Sequence, residues 1–251
     1  MIISGHQPVY LPWLGLFHKM MLCDIFVYMD TVQYLDGDWN NRNKIRTGNS
    51  ELLLSIPIDK KNSNGKNLNE IKIFNQNAEH RDFWQRKHWE SIKSNYKKSN
   101  FFEHFQKDLE KMYLNIKWES LVDVCWHQFN FFKKCFGINC RVVRMSEMKF
   151  EGKKDDLILN HCLKLNGNAV VFGQKGKDYV DTNKFDKHNI KIYFQKYNHP
   201  EYKQRFIGFF PNLSVIDLLL NHGPNESKKI LMSNNITKDD LVKSNKWYKK
   251  N

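Results

Sequence analysis

Short apolar runs of strand length alternate with stretches of helical period along this chain. Residues 2–4 and 25–29 (Ile25-Phe26-Val27-Tyr28-Met29) are strand-length, and the apolar-rich segment Leu14 to Leu22 between them fits about two helical turns. A strand, a short helix and a second strand in this order predict the start of a parallel sheet, because parallel neighbours need a crossover and a helix supplies it. Residues 51–58 (Glu51-Leu52-Leu53-Leu54-Ser55-Ile56-Pro57-Ile58) and 70–74 read as further strands, with a polar, Asn- and Gly-rich loop at 59–69 between them.

From about Ala78 to Phe136 the period becomes helical. Trp84, His88, Ile92 and Tyr96 recur near i, i+4 spacing, followed by Phe102, Phe105, Leu109 and Met112. An aromatic stripe at this spacing is what a helix buries in a core, and it needs no further function. Strands return at 141–145, 169–172 and 190–194, with a helix at about 154–165 between the first two. A last helix is expected from Ser214, placed as N-cap before Val215-Ile216-Asp217-Leu218-Leu219-Leu220, to Gly223, where Pro224 follows. The expected fold is α/β and Rossmann-like: a mostly parallel sheet in one domain over 1–251, with a helical middle section at about 78–136. The Lys-rich end 243–251 is expected to fray.

Composition narrows the classes. Five cysteines (Cys23, Cys125, Cys135, Cys140 and Cys162) form no CxxC or CxH pair, so no metal site is expected and a reducing compartment is the simplest reading. The first residues lack a basic region followed by an apolar run, and no stretch approaches the roughly 20 apolar residues of a membrane span. A soluble, cytoplasmic protein without a membrane span follows as the expectation. The formal charge of +13 invites a nucleic-acid partner. However, 33 of the 40 basic residues are Lys and only 7 are Arg, alongside 28 Asn. Arg is the residue suited to bidentate phosphate and base contacts, so nucleic acid is not the expected partner. An acidic protein or a nucleotide-type ligand remains open, as does a solvated surface.

Four blocks carry candidate chemistry. Gly5-His6-Gln7-Pro8-Val9-Tyr10-Leu11-Pro12-Trp13-Leu14-Gly15 lies between the first strand and the first helix, where parallel α/β folds bind ligands. Two prolines, two glycines and two large aromatics make it a rigid, shaped loop. His6 can act as acid or base, and Gln7 offers donor and acceptor. A histidine bonded to a nearby carbonyl is the plain alternative. The second strand opens at Asp24 and delivers Asp30, followed by Gln33, Tyr34, Trp39, Asn41, Arg42 and Asn43. Aromatic faces with amides and a guanidinium suit a sugar or a nucleotide, although Asn41 and Asn43 could equally satisfy a turn. The third block, Gly173-Gln174-Lys175-Gly176-Lys177-Asp178-Tyr179, follows an apolar strand and is a weak phosphate signal or a simple tight turn. The fourth, His199-Pro200-Glu201-Tyr202-Lys203-Gln204, leads into Pro211-Asn212-Leu213-Ser214 and Asp217, and Asp217 on the first turn of a helix favours its dipole without any functional role.

Together these blocks resemble the WbqC-like protein family. The resemblance runs through His6-Gln7-Pro8, Tyr10-Leu11-Pro12-Trp13, Gly15, Lys19, Asp24, Asp30, Gln33-Tyr34, Trp39 and Asn41-Arg42-Asn43. It resumes at Gly176, Asp178-Tyr179, Tyr202, Gln204, Leu213-Ser214, Asp217 and Gly223. Leu220 and His222 depart from it, standing where an aromatic and an acidic residue are common. The resemblance implies an enzyme of O-antigen or surface-polysaccharide biosynthesis, acting on a nucleotide-linked amino sugar by N-acyl or aminoacyl (for example glycyl) transfer. No bound cofactor is implied. The donor would be an activated acyl group, such as a thioester on an acidic acyl carrier protein. In that reaction His6 would take a proton from the sugar amine, Asp30 would orient it or the amine, and Gln7 and Asn41 would face the developing oxyanion. Arg42 and Lys19 would hold diphosphate, with Tyr10, Trp13, Gln33, Tyr34, Trp39, Asn43, Gly176, Tyr179, Tyr202 and Gln204 lining the substrate. A nucleotidyl- or glycosyltransferase and a non-catalytic sugar-nucleotide-binding protein stay open as alternatives. The strand, Pro-containing loop and helix up to Asp24 also resemble the opening of HIGH-type nucleotidyltransferases, but Trp13 and Leu16 stand near the places of that signature's paired histidines.

Overall fold

The structure is a computed structural model that describes residues 1–75 and 83–248. Along the chain run β1 (Ile2–His6), α1 (Leu14–Met21), β2 (Ile25–Tyr28), β3 (Arg42–Arg46) and β4 (Glu51–Ser55). The helices α2 (Trp84–Tyr96), α3 (Phe102–Glu110) and α4 (Leu121–Cys135) follow. Then come β5 (Arg141–Arg144), α5 (Lys154–Lys164), β6 (Ala169–Phe172), α6 (Thr182–Asp186), β7 (Lys191–Phe194), α7 (Val215–Met232) and α8 (Lys238–Lys243). A single wide turn at Lys111–Asn115 extends α3.

Five strands form one sheet in the order β5-β2-β1-β6-β7, and every pairing in it is parallel. Counted along the sheet's own strands the order is 3-2-1-4-5, with which doubly wound nucleotide-binding sheets begin. Because successive side chains on a strand point to opposite faces, each strand feeds two cores. Ile2, Phe26, Tyr28, Val171 and Tyr193 pack with Phe17 of α1, Phe129 and Phe132 of α4, and Leu218 of α7. Ile3, Ile25, Val27, Val170, Phe172, Ile192 and Phe194 pack on the opposite side with Cys162 of α5 and Phe185 of α6. Each fully buried aliphatic or aromatic side chain of this kind contributes about 1.5–3 kcal/mol. The connections after β1 and after β6 therefore leave the sheet on opposite sides, and the carboxyl ends of these two strands are the switch point at which such sheets bind ligands. His6 ends β1 at that point.

Two expectations change. Arg42 and Asn43 lie in a strand rather than a loop: β3 pairs antiparallel with β4, Arg42 opposite Ser55, in a hairpin separate from the main sheet. Residues 70–74 do not form a strand. Leu68–Glu70 is a tight turn closed by a capping box from Asn67 and Glu70. Beyond it only single bridges form, Ile58 with Ile73 and Lys72 with Ser120. The helical section was expected to begin at Ala78, which lies outside the described residues, as does part of the expected frayed end 243–251. The Ser214 cap forms, its side chain accepting from the Ile216 N–H. Gly223, at φ 70° and ψ 177°, breaks the helix as expected, but Pro224 opens a second helical segment that runs to Met232.

Candidate functional site

The segment between β1 and α1 turns inward. Pro8 to Pro12 are buried, and Leu11 holds the left-handed φ of 45° that a branched side chain adopts only under constraint. Its N–H donates to Gln128 Oε1 at 2.8 Å, and its carbonyl accepts from Asn43 Nδ2 at 2.5 Å. Gln128 Nε2 in turn donates to the Tyr113 hydroxyl at 3.2 Å. The Tyr10 hydroxyl lies 2.7 Å from both the Tyr113 hydroxyl and His88 Nδ1. Burial holds His88 down at about 3 and the Tyr10 phenol well above its usual value, so every member of this chain is neutral. Tyr10 is thus an interior anchor and does not line a surface. What the buried loop does is fix the residues at its two ends.

Those residues are His6, Gln7 and Trp13. His6 is half-buried, with Nδ1 2.8 Å from the Gln7 carbonyl oxygen and the Trp13 ring edge-on at a centroid distance of 5.0 Å. Since a carbonyl only accepts, Nδ1 carries the proton, and the free lone pair belongs to Nε2. Burial, and then the charge of Lys19, lower the imidazole to about 3. His6 is therefore an uncharged acceptor at neutral pH. Lys19 reaches up from α1 and donates to the Gly5 carbonyl at 2.7 Å. It is 5% exposed, and burial lowers its ammonium to about 8. Held there, Lys19 stands behind the end of β1 as a fixed charge rather than as a diphosphate ligand. Gln7 Oε1 accepts from Asn40 Nδ2 at 3.3 Å, and the same nitrogen donates to the Pro8 carbonyl at 2.8 Å. That contact leaves the Gln7 NH2 group as the donor end of the amide, without a protein partner among the described residues.

Asp30 is on the same edge but is fully committed. Its carboxylate is 0% exposed and accepts from Arg144 Nε at 2.9 Å, the Ser146 hydroxyl at 2.6 Å and the Ser146 N–H at 2.9 Å. Arg144 Nη2 adds a further contact at 2.9 Å. No contact joins Asp30 to His6 among the described residues, so the expected orienting role gives way to a structural one, tying the end of β2 to the end of β5.

The hairpin side divides in two. Asn41 Nδ2 donates to the Ile56 carbonyl at 2.8 Å, and Asn43 Nδ2 to Leu11. Both amides brace backbone, which removes Asn41 from the oxyanion position. Arg42 is half-buried and spends only Nε, on Asn41 Oδ1 at 3.3 Å. Its terminal nitrogens have no protein partner among the described residues. Trp39 and Gln33 are exposed, while Tyr34 is 5% exposed. Farther along, Tyr202 donates to Asp217 Oδ2 at 2.9 Å, and Tyr96 donates to Oδ1 at 2.8 Å. Burial raises the Asp217 carboxyl, so Asp217 is the hub of a buried network rather than a dipole partner alone. Gln204 is bonded through both side-chain atoms to the Phe210 backbone. Gly176 is buried under Phe172 and Phe194, and Tyr179 is 55% exposed.

The profile of the WbqC-like protein family matches residues 7–229. The chain belongs to that family. It is also similar to the uncharacterized protein Rv1507c of Mycobacterium tuberculosis, 28% identical over 218 residues, covering 86% of this chain and 92% of that protein. No solved structure matches it.

Several residues that shape this WbqC-like site escape sequence reasoning. Arg144 and Ser146 hold Asp30, and an Arg closing an apolar strand at its carboxyl end was the available signal. Asn40, 3% exposed, sets the Gln7 amide but sat unmarked between Trp39 and Asn41. Gln195, just past β7, donates from Nε2 to the Gly15 carbonyl at 2.9 Å and lies 2.8 Å from His18 Nδ1, and nothing in its local sequence announces this. Among the described residues of the WbqC-like chain no cluster of His, Cys, Asp and Glu could hold a metal ion, and no helix is long and apolar enough to cross a membrane.

Proposed function

We propose that this chain is a transferase that moves an acyl or aminoacyl group from an activated donor to the amine of a nucleotide-linked amino sugar in surface-polysaccharide assembly. The observation that carries the reading is the unprotonated Nε2 of His6 at the carboxyl end of β1, without a protein partner among the described residues, with its tautomer set by the Gln7 carbonyl and its protonation suppressed by burial and then by the charge of Lys19. A neutral amine attacking a thioester carbonyl forms the C–N bond while the carbonyl pair moves onto oxygen. Attack makes the nitrogen of that adduct far more acidic than the free amine, and the Nε2 lone pair of His6 is placed to take its proton. The thiolate then leaves as the carbonyl re-forms. The NH2 of Gln7 is the donor suited to the oxyanion, and the free end of Arg42 with the Trp39 face suits polar and stacking contacts to the sugar. The excess of Lys supports an acidic carrier protein as donor, through steering that added salt weakens.

The test pairs binding with turnover. Thermal-shift screening of amino-sugar nucleotides against their non-aminated counterparts identifies the acceptor. His6→Ala should then lower turnover by about 10²–10⁴-fold at unchanged acceptor binding, and unchanged turnover would reject the role. The low basicity of His6 also suits a protein that binds a sugar nucleotide without converting it. Selective acceptor binding with no product from any thioester or aminoacyl donor would favour that second reading.

A further inference from the structure

The carboxyl end of β7 borders a cleft of about 430 Å³, within the size range of small-molecule sites. Three segments converge on it. Lys177 comes from the turn after β6, Lys196 lies two residues beyond β7, and Lys246 belongs to the tail after α8; among the described residues no carboxylate lines the cleft. None of these three lysines is in an ion pair among the described residues. Lys184, by contrast, pairs with Asp155 and Asp156, and Lys238 with Asp24. Uncompensated like charges around one concavity repel each other until an anion enters, and they focus a positive potential there.

The cleft is also built to hold a ring. The Tyr248 N–H donates to the Ile192 carbonyl at 2.7 Å, which lays the tail along β7, and the Tyr248 ring meets Phe194 edge-on at 5.5 Å. Tyr248 is 44% exposed, so ring surface remains for stacking. Gly176 explains the closeness of the turn: a Cβ there would stand 2.8 Å from Phe172 Cβ and 3.1 Å from the Phe194 ring. With glycine in place, Lys177 Nζ sits 6.0 Å from the Phe194 centroid.

We propose that this cleft binds the diphosphate of a nucleoside diphosphate unit through Lys177, Lys196 and Lys246, with the base against Tyr248. The proposal rests on the reading above that the substrate carries a nucleotide, and it names where that part is held. Ammonium groups serve phosphate as point charges without a fixed fork. The end of β7 lies two strand spacings from the end of β1, about 10 Å. That separation is on the scale of the sugar diphosphate that must link a nucleoside here to an amine at His6.

Calorimetric titration of the full chain with UDP, uridine and inorganic pyrophosphate tests this, using the wild type, the double variant Lys177→Ala/Lys196→Ala, and Arg42→Ala. UDP is expected to bind far more tightly than uridine, to lose at least about tenfold in affinity in the double variant, and to stay within about twofold in Arg42→Ala. Wild-type UDP affinity in the double variant, or its loss only in Arg42→Ala, overturns the cleft while leaving the nucleotide reading intact. Pyrophosphate binding that depends on Lys177 and Lys196, with no added gain from the nucleoside, upholds the cleft as an anion site and overturns the nucleotide reading. Binding of neither UDP nor pyrophosphate to the wild type overturns the cleft.

Discussion

Arg144 crosses from the end of β5 to Asp30 at the end of β2, with Nε and Nη2 each 2.9 Å from Oδ2. Asp30→Ala should therefore act on stability. It strips a paired, partly buried guanidinium and the Ser146 donors of their acceptor, a loss of about 3–5 kcal/mol. Urea unfolding reads this directly. Full stability with abolished turnover would instead return Asp30 to the chemistry.

Gln128 supports the left-handed Leu11 from a helix far away in sequence. Gln128→Leu keeps the volume but leaves the Leu11 N–H and one side of the Tyr113 hydroxyl without partners in a buried setting. An unfolding free energy lower by about 1–3 kcal/mol is expected. His6→Ala, which touches none of these bonds, should leave stability nearly unchanged in the same assay.

Three histidines make the fold acid-sensitive in a defined direction. Burial lowers His6 and His88 to about 3 and His161 to about 4, whereas unfolded histidine titrates near 6.5. Between those values the unfolded chain binds more protons. The contribution of these groups is complete above about pH 6.5 and is lost as pH falls toward the folded values. His161 Nε2 is buried without a partner. Its share of the loss between pH 7 and pH 5 is up to about 2 kcal/mol, so His161→Leu should flatten the denaturation midpoint over that range. The pH profile of the proposed transfer should likewise show no limb near 6.5 from His6 in the free protein.

Gly223 permits the break in α7. Any Cβ there would lie 2.4 Å from Phe101 Cε1, at a φ of +70°. Gly223→Ala is expected to cost about 3 kcal/mol or more from strain and overpacking together, visible as a lowered melting temperature. Gly208→Ala, with φ of +80° but open space around it, should cost only the backbone part, about 1 kcal/mol.

The five sheet strands were legible because each is a short apolar run, and so were the helical crossovers α1, α2 to α4 and α5, whereas α6 between β6 and β7 was not, because Thr182–Asp186 is too short to show a helical period. Ile2 and Ile3 already imply two cores once the strand is seen to be covered on both faces. The hairpin was only half legible. Arg42-Asn43-Lys44 carries no apolar alternation, and β3 exists because Glu51–Ser55 offers it a ladder. The conspicuous polar block was misleading for a related reason. Asn41, Asn43, Tyr202 and Gln204 are amides and phenols held in place by backbone and carboxylate partners from 6 to 32 residues away, and residue type cannot distinguish a bracing amide from one that faces a ligand. His6, Gln7 and Trp13 could be found from their place after the first strand, whereas the lysine cleft is assembled from positions 177, 196 and 246, which no local pattern connects.

The donor from Gln195 to His18 Nδ1 leaves His18 Nε2 to donate to the Ile236 carbonyl, 3.0 Å away. Lys238 meets Asp24, which also accepts from the Ile2 N–H. Through Ile236 and Lys238 the segment after α7 thus clasps the opening strand and helix, and the residues past 229 lie beyond the family match. A protease cutting near Asn234 would accordingly loosen residues more than two hundred positions away, so trimming this tail to obtain a minimal domain would undo the support beneath His6 rather than shorten a free end.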